Sequence, residues 1–236
     1  MLGVLGGMGP LATVDFFGKL VAATQAETDQ QHMPVIIRSV PQIPDRTACL
    51  LCGGENPLPA LRHGMRELAR AGATVVAIPC NTAHHWADDL AAPDLPPILH
   101  IVDAVAERLA ALLPGGAPVA LMCTEGTRAA KVYEKRLDQG RWPILAENQA
   151  ALDAVSRGIA LVKAGRIEAA TALFAQQAED CRARGAAAVI LACTEIPVAL
   201  REGEPFFIDA TDALARRCVR WFTETYRGAP GACAAS

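Results

Sequence analysis

Two cysteines stand in matched surroundings in this chain of 236 residues. Cys80 ends the run Val75-Val76-Ala77-Ile78-Pro79 and is followed by Asn81 and Thr82. Cys193 ends Ala188-Val189-Ile190-Leu191-Ala192 and is followed by Thr194 and Glu195. As a thiolate such a group takes a proton, and as a thiol it returns one. Two of them on opposite faces of one carbon can take a proton from one face and deliver a proton to the other. That is stereoinversion at a carbon beside a carboxylate. The base must have its pKa lowered by nearby positive charge or by dipoles at strand and helix ends. Each cysteine taken singly reads better as an inert core thiol; the matched pair favours chemistry. The other six cysteines lack such neighbours, and Cys181 and Cys218 fall in helical stretches.

The elements that must carry these thiols alternate. Apolar runs at Leu2 to Leu5, Pro34 to Val40, Thr74 to Ile78, Val119 to Met122, Pro143 to Leu145, Ala187 to Ala192 and Phe206 to Asp209 read as strands. Helical spacing marks Val14 to Thr28, Pro59 to Ala71, Pro97 to Leu113 after a strand-like turn at its start, Arg128 to Gln139, Leu152 to Lys163, Glu168 to Arg184 and Leu214 to Tyr226. Strands alternating with helices predict an α/β fold of parallel sheets flanked by helices. The chain also repeats. Arg70 to Asn81 matches Ala183 to Thr194, 113 positions on (80 to 193). Val4, Gly9, Ala12, Phe16 and Leu20 match Leu121, Gly126, Ala129, Tyr133 and Leu137, 117 positions on (4 to 121). The repeat predicts two related lobes: 1–97 with 210–236, carrying Cys80, and 98–209, carrying Cys193. Both cysteines then lie at carboxyl ends of strands, where ligands of open parallel sheets sit.

Composition closes off other classes. Lysines and arginines number 22 against 25 aspartates and glutamates, a net charge of −3 that argues against binding nucleic acid by phosphate neutralisation. The longest apolar run, Ala186 to Cys193, has eight residues, where a membrane helix needs about 18. Met1 leads into a strand-like stretch without a basic leader, so the cytoplasm is the expected compartment and the thiols are expected reduced. Gly6-Gly7-Met8-Gly9-Pro10 fails the dinucleotide spacing, and Pro10 suits the first turn of a helix. Cys49-Leu50-Leu51-Cys52 lacks the two further ligands that structural zinc needs, so no metal is expected. His84, four residues after Cys80, is a candidate to tune that thiol. The segment 228–236 is expected to fray.

Three segments together carry a resemblance: Gly6-Gly7-Met8-Gly9-Pro10 with Ala12-Thr13, Pro79-Cys80-Asn81-Thr82-Ala83-His84, and Ala192-Cys193-Thr194-Glu195-Ile196. In this order they resemble the aspartate/glutamate racemase family, in its aspartate racemase form. Glutamate racemases usually carry a serine in the first loop and a Cys-Thr-His triplet, where this chain has Met8 and Glu195. The resemblance covers about residues 1 to 226. It implies a cofactor-independent amino-acid racemase, two flavodoxin-like lobes with the site between them, a homodimer, and Cys80 and Cys193 as the two catalytic bases. It places Met8, Asn81, Thr82 and Thr194 against the substrate. It implies that Arg46, in Pro44-Asp45-Arg46-Thr47, holds a substrate carboxylate. Thr124 and Thr127, in Thr124-Glu125-Gly126-Thr127, bind the α-carboxylate, and Lys163 meets the substrate's acidic group.

Charge chemistry fits those roles. A dicarboxylic amino acid offers two anions, which a bidentate arginine and a point-charge lysine can meet. Threonine hydroxyls and backbone amides could stabilise charge that develops on the carboxylate. Glu125 adds a negative charge to the carboxylate loop, and Cys123 stands just before it. The alternatives are a maleate isomerase-like or arylmalonate decarboxylase-like enzyme, in which one thiol acts alone, and a non-catalytic acid-binding homologue.

Overall fold

The computed structural model describes residues 1–137, 141–200 and 205–227. The expected frayed tail, 228–236, lies outside them, as does the end of the helix expected up to Gln139. Seven strands run β1 Leu2–Gly6, β2 Val35–Ser39, β3 Val75–Ala77, β4 Ile98–Leu99, β5 Val119–Cys123, β6 Ala188–Ala192 and β7 Phe207–Asp209. They form two parallel sheets, one in the order β2-β1-β3-β4 and one in the order β5-β6-β7. The expected strand at Pro143 to Leu145 is reduced to one bridge between Val119 and Ile144. The helices are α1 Pro10–Ala23, α2 Arg46–Cys52, α3 Leu58–Arg70, α4 Ile101–Leu112, α5 Glu125–Ala129, α6 Gln149–Lys163, α7 Ile167–Ala183, α8 Ile196–Ala199 and α9 Ala210–Phe222. No described helix is long and apolar enough to cross a membrane.

Strand alternation sorts the core into three parts. Leu2 and Val4 of β1, Val75 and Ala77 of β3, Val119 and Leu121 of β5, and Ala188 and Ile190 of β6 share one central cluster with α4 and α9. Leu5 and Val76 face outward to α3, and Val189 and Leu191 face outward to α6 and α7. Repeat-matched positions therefore take equivalent faces: Val75 and Ala188 inward, Val76 and Val189 outward. Burying each branched side chain contributes about 1.5–3 kcal/mol, so the register that places both thiols is strongly held. Lys19 of α1 pairs with Asp209 at 2.6 Å, and Asp209 caps α9 through the amides of Thr211 and Asp212.

Local boundaries differ from the sequence reading for identifiable reasons. Helix α1 begins at Pro10, not Val14, because proline fits the first turn, and it ends at Ala23, where Thr24 donates its hydroxyl to the Leu20 carbonyl. The Cys-x-x-Cys stretch, read as loop, forms α2, capped by Asp45, which accepts from the Ala48 amide at 2.8 Å. The helix expected over Arg128 to Gln139 starts earlier, at Glu125, behind the cap Thr124, and stops at Ala129. Lys131 then takes φ +53°, a left-handed backbone that an α-helix cannot continue through. Gly126 lets α5 approach α2: a Cβ there would stand 2.6 Å from the Thr47 hydroxyl oxygen and 2.9 Å from the Thr47 Cα.

Two buried histidines brace the segment after β3. His84 lies in a 3₁₀ turn, Thr82–Trp86, and its Nε2 accepts from the Ile101 amide at 3.2 Å. Its Nδ1 must then carry the proton, which it donates to the Cys80 carbonyl at 2.9 Å. His100 packs edge-on against it, with ring centroids 4.5 Å apart. Burial lowers the His84 pKa to about 4, and burial together with the charges of His84, Arg136 and Arg217 lowers that of His100 to about 2. Both rings are neutral in the folded protein. Below pH about 6.5 the unfolded chain binds protons there that the folded chain does not, so stability is complete above that pH and falls as pH drops. For His84 the loss between its unfolded value near 6.5 and its folded value of about 4 is about 3 kcal/mol. Urea unfolding at pH 7, 5.5 and 4.5 should show that decline. His84→Asn should lower stability at pH 7 and roughly halve the slope below pH 6.5.

Candidate functional site

The carboxyl ends of the two sheets open onto one cavity. Met8, Arg46, Cys80, Asn81, Thr82, Thr124, Lys163, Cys193 and Thr194 line it, together with Asp45, Thr47, Ala192 and Glu195. Nine of the ten site residues expected from sequence therefore meet at one place. The tenth, Thr127, stands behind the wall, hydrogen-bonded to Thr82.

Each lining residue arrives from the end of an element. Met8 follows β1 in a loop pinned by Thr13, whose Oγ1 accepts from the Gly7 amide at 2.8 Å and donates to the Gly9 carbonyl at 3.0 Å. Gly7 has φ +94°, and a Cβ there would meet the Val40 backbone at 2.3 Å, so only glycine fits. Arg46 opens α2. Its Nη1 donates to the carbonyls of Ile43 at 3.2 Å and Pro44 at 3.1 Å, and its Nη2 donates to the Met8 carbonyl at 3.4 Å. Its Nε is buried without a partner among the described residues. Nε–H and the second Nη2–H share one edge of the guanidinium, a fork that fits a carboxylate. Lys163 ends α6 and is exposed at the rim.

Three hydroxyls join the halves. Thr82 Oγ1 lies 2.9 Å from Thr124 Oγ1 and 2.8 Å from Thr127 Oγ1, and Thr124 Oγ1 donates to Thr127 Oγ1 at 3.0 Å. Three bonds among three hydroxyls use three hydrogens, so each threonine donates once within the ring. In the closed ring all three hydroxyls bond to one another. Thr124 also caps α5, accepting from the Thr127 amide at 3.1 Å.

Asn81 is nearly fully buried, and its Oδ1 accepts from the Tyr133 hydroxyl at 2.7 Å. Its Nδ2 has no partner among the described residues. A buried donor left unpaired costs about 1–3 kcal/mol, a cost that an anionic ligand in the cavity would remove.

The two thiols are buried to the same degree, each 5% exposed, but differ in company. Cys193 donates to Glu195 Oε2 at 3.0 Å. Burial, and then the Glu195 carboxylate, push the Cys193 thiol well above its usual range, while Lys163 pulls it down. This reverses the expectation of a thiolate favoured by its surroundings: at Cys193 the nearest charge is negative. The Cys80 sulfur has no hydrogen-bond partner among the described residues, and its carbonyl is held by His84. Cys123 faces the central core, away from the cavity, and burial raises its pKa to about 12. The seven described cysteines are free thiols. Glu125 lies outside the inner cavity; it accepts from the Ser156 hydroxyl at 3.2 Å in an outer cavity of about 610 Å³ that shares Asp45, Thr47, Thr124 and Lys163 with the inner one.

Tyr133 and Thr47 were not singled out from sequence as site residues. Tyr133 was visible as the repeat partner of Phe16, and its hydroxyl was the unread signal. Glu195 was visible as the departure from Cys-Thr-His, without the contact to Cys193.

Comparison with known proteins agrees with this geometry. The family model described as Asp/Glu/Hydantoin racemase matches residues 5–218. A broad specificity amino-acid racemase of Bacillus subtilis (strain 168) is 27% identical over 228 residues, covering 93% of this chain and 96% of that protein. The structure of the Picrophilus torridus aspartate racemase superposes with a TM-score of 0.83 at 30% identity, covering 93% of each chain. A glutamate racemase of Francisella tularensis in complex with D-glutamate shares the fold, with a TM-score of 0.64 at 16% identity over 94% of this chain and 81% of that one. The two parallel sheets flanked by helices are the two-lobed, flavodoxin-like α/β fold of these neighbours. The chain belongs to the Asp/Glu/Hydantoin racemase family and is a racemase, an isomerase.

Proposed function

We propose that the protein interconverts L- and D-aspartate without a cofactor, by proton transfer at Cα between Cys80 and Cys193. The observation that carries this is the pair of buried thiols, one from each repeat, lining a single cavity with unpaired donors. The proposed lobes divide as 1–97 with 210–236 and 98–209, except that β4, Ile98–Leu99, pairs with β3 and so stays with the first sheet. In the reaction one cysteine, as thiolate, takes the Cα proton. The electron pair delocalises onto the α-carboxylate, and the other cysteine, as thiol, protonates Cα from the opposite face. The resting hydrogen bond to Glu195 marks Cys193 as the protonated partner, and Glu195 is the acceptor that relieves Cys193 of its proton when it must serve as base. The fork on Arg46 and the amide nitrogen of Asn81 meet carboxylate oxygens, and Lys163 meets the second acidic group. Aspartate is favoured by the similarity to the aspartate racemase. The outer cavity and the similarity to a broad specificity racemase make longer side chains the next to test.

Incubation in D2O with L-aspartate, under reducing conditions and without added metal or pyridoxal phosphate, should replace the Cα proton with deuterium and yield D-aspartate. Cys80→Ser and Cys193→Ser should each slow this about 10²–10⁴-fold. Loss in only one of the two would favour one-thiol chemistry of the isomerase or decarboxylase kind. No exchange with any amino acid from folded, reduced protein would overturn the racemisation proposed here.

Glu195→Gln removes the charge that raises the Cys193 thiol. The alkaline limb of the kcat/KM profile should therefore move to lower pH, and kcat should fall. An unmoved limb would separate Glu195 from the titration.

We also infer a homodimer working in the cytoplasm. Leu11, Val14, Phe17 and Val21 form an exposed apolar stripe on α1 that a second copy would cover. Light scattering should give twice the chain mass of 24.8 kDa, and Val14→Asp should give one.

A further inference from the structure

Tyr133 stands where the first repeat has Phe16. Both rings are fully buried in the central core, so both meet the same packing demand. Only Tyr133 adds a hydroxyl, and that hydroxyl crosses from the second half to the first. It donates to Asn81 Oδ1 at 2.7 Å, while the Asn81 amide nitrogen, buried beside the cavity, has no acceptor among the described residues. A primary amide is nearly symmetric in shape, and a half-turn about its last torsion exchanges a donor for an acceptor. A phenol that donates to the oxygen fixes that choice. Burial raises the Tyr133 pKa well above its usual value, so the hydroxyl keeps its proton throughout any working pH range.

We propose that Tyr133 is a positioning residue: by holding the Asn81 oxygen, it commits the Asn81 amide nitrogen to donate to a carboxylate oxygen of the bound amino acid. The inference rests on the racemase reading for its ligand class, and not on which thiol serves which enantiomer. The device is one-sided. Thr194 occupies the place of Asn81 in the second repeat, and Phe16 has no hydroxyl to orient it. The carboxylate is thus registered from one lobe while the two thiols stand on either side.

Tyr133→Phe deletes one oxygen and keeps the ring. Calorimetric titration with L-aspartate, D-aspartate and L-glutamate should show Kd raised about tenfold, with the thermal midpoint within a few degrees of wild type. In an Asn81→Ala background the same change should alter Kd less than about twofold, because the group it orients is gone. Asn81→Asp keeps an acceptor for Tyr133 but loses the donor, so it should bind about tenfold more weakly or worse. It carries the test by itself if Tyr133→Phe does not fold. Unchanged affinity in Tyr133→Phe, full independence of the two changes, undiminished binding by Asn81→Asp, or a wild type that binds none of the three ligands would each overturn the inference. A wild type that binds them but never exchanges the Cα proton in D2O would sink the racemase reading while leaving the Tyr133 measurement intact.

Discussion

A ring of three threonine hydroxyls spans the seam between the halves at the cavity. Thr82 opens the 3₁₀ turn that follows Cys80 in the first half; Thr124 caps α5 and Thr127 lies in it, after β5. The cavity exists only while these loops meet, because Cys80 and Cys193 are carried by different sheets. Separating the halves would break both bonds of Thr82, while the bond between Thr124 and Thr127 stays within the second half. The close approach of Gly126 to Thr47 and the bond from Tyr133 to Asn81 fasten the same seam on either side. The ring therefore acts on the position of the thiols, and in the proposed reaction the anion meets donors outside it, the Arg46 edge and the Asn81 nitrogen.

Burial sets the chemical problem that the proposed reaction must solve. A carbon acid is hard to deprotonate in water, and a dry cavity strengthens every donor aimed at the developing charge. The same dryness raises the Cys193 thiol, and Glu195 raises it further. A thiol held protonated is the correct state for the group that delivers a proton, so this surrounding is productive in one half of the cycle. In the other half of the proposed cycle the proton must leave Cys193, and the carboxylate 3.0 Å away is the proposed acceptor.

Much of this arrangement was legible before any coordinates. Periodicity placed the sheets, because β-branched runs between helical stretches leave few other folds. The repeat placed both cysteines at strand ends, and matched residues such as Val75 and Ala188 do occupy equivalent faces. What escaped was pairing at a distance. Thr82, Thr124 and Thr127 are 42 and 45 positions apart in sequence, and no local pattern says that three hydroxyls will exhaust one another. Tyr133 was hidden for the same reason, since its ring accounts for its burial and its hydroxyl partner lies 52 positions away. Element ends such as α5 were missed because one residue, Lys131, in a left-handed backbone overrides helical spacing.

The repeat also explains where symmetry has to fail. Two near-equivalent strand ends suit a reaction whose forward and reverse directions differ only in which face gives up the proton. A substrate, by contrast, has one carboxylate, one amine and one side chain, and it must lie the same way whichever enantiomer is bound. A cavity symmetric in its donors would hold it two ways and waste half of its encounters. The thiols keep the symmetry, at equal burial and at matched strand ends. The donors break it: Arg46 comes from the first half alone, Lys163 from the second alone, and Asn81 faces Thr194 across the repeat. In the proposed reaction, an approximate two-fold in the bases and none in the binding groups is what lets one bound orientation serve both enantiomers.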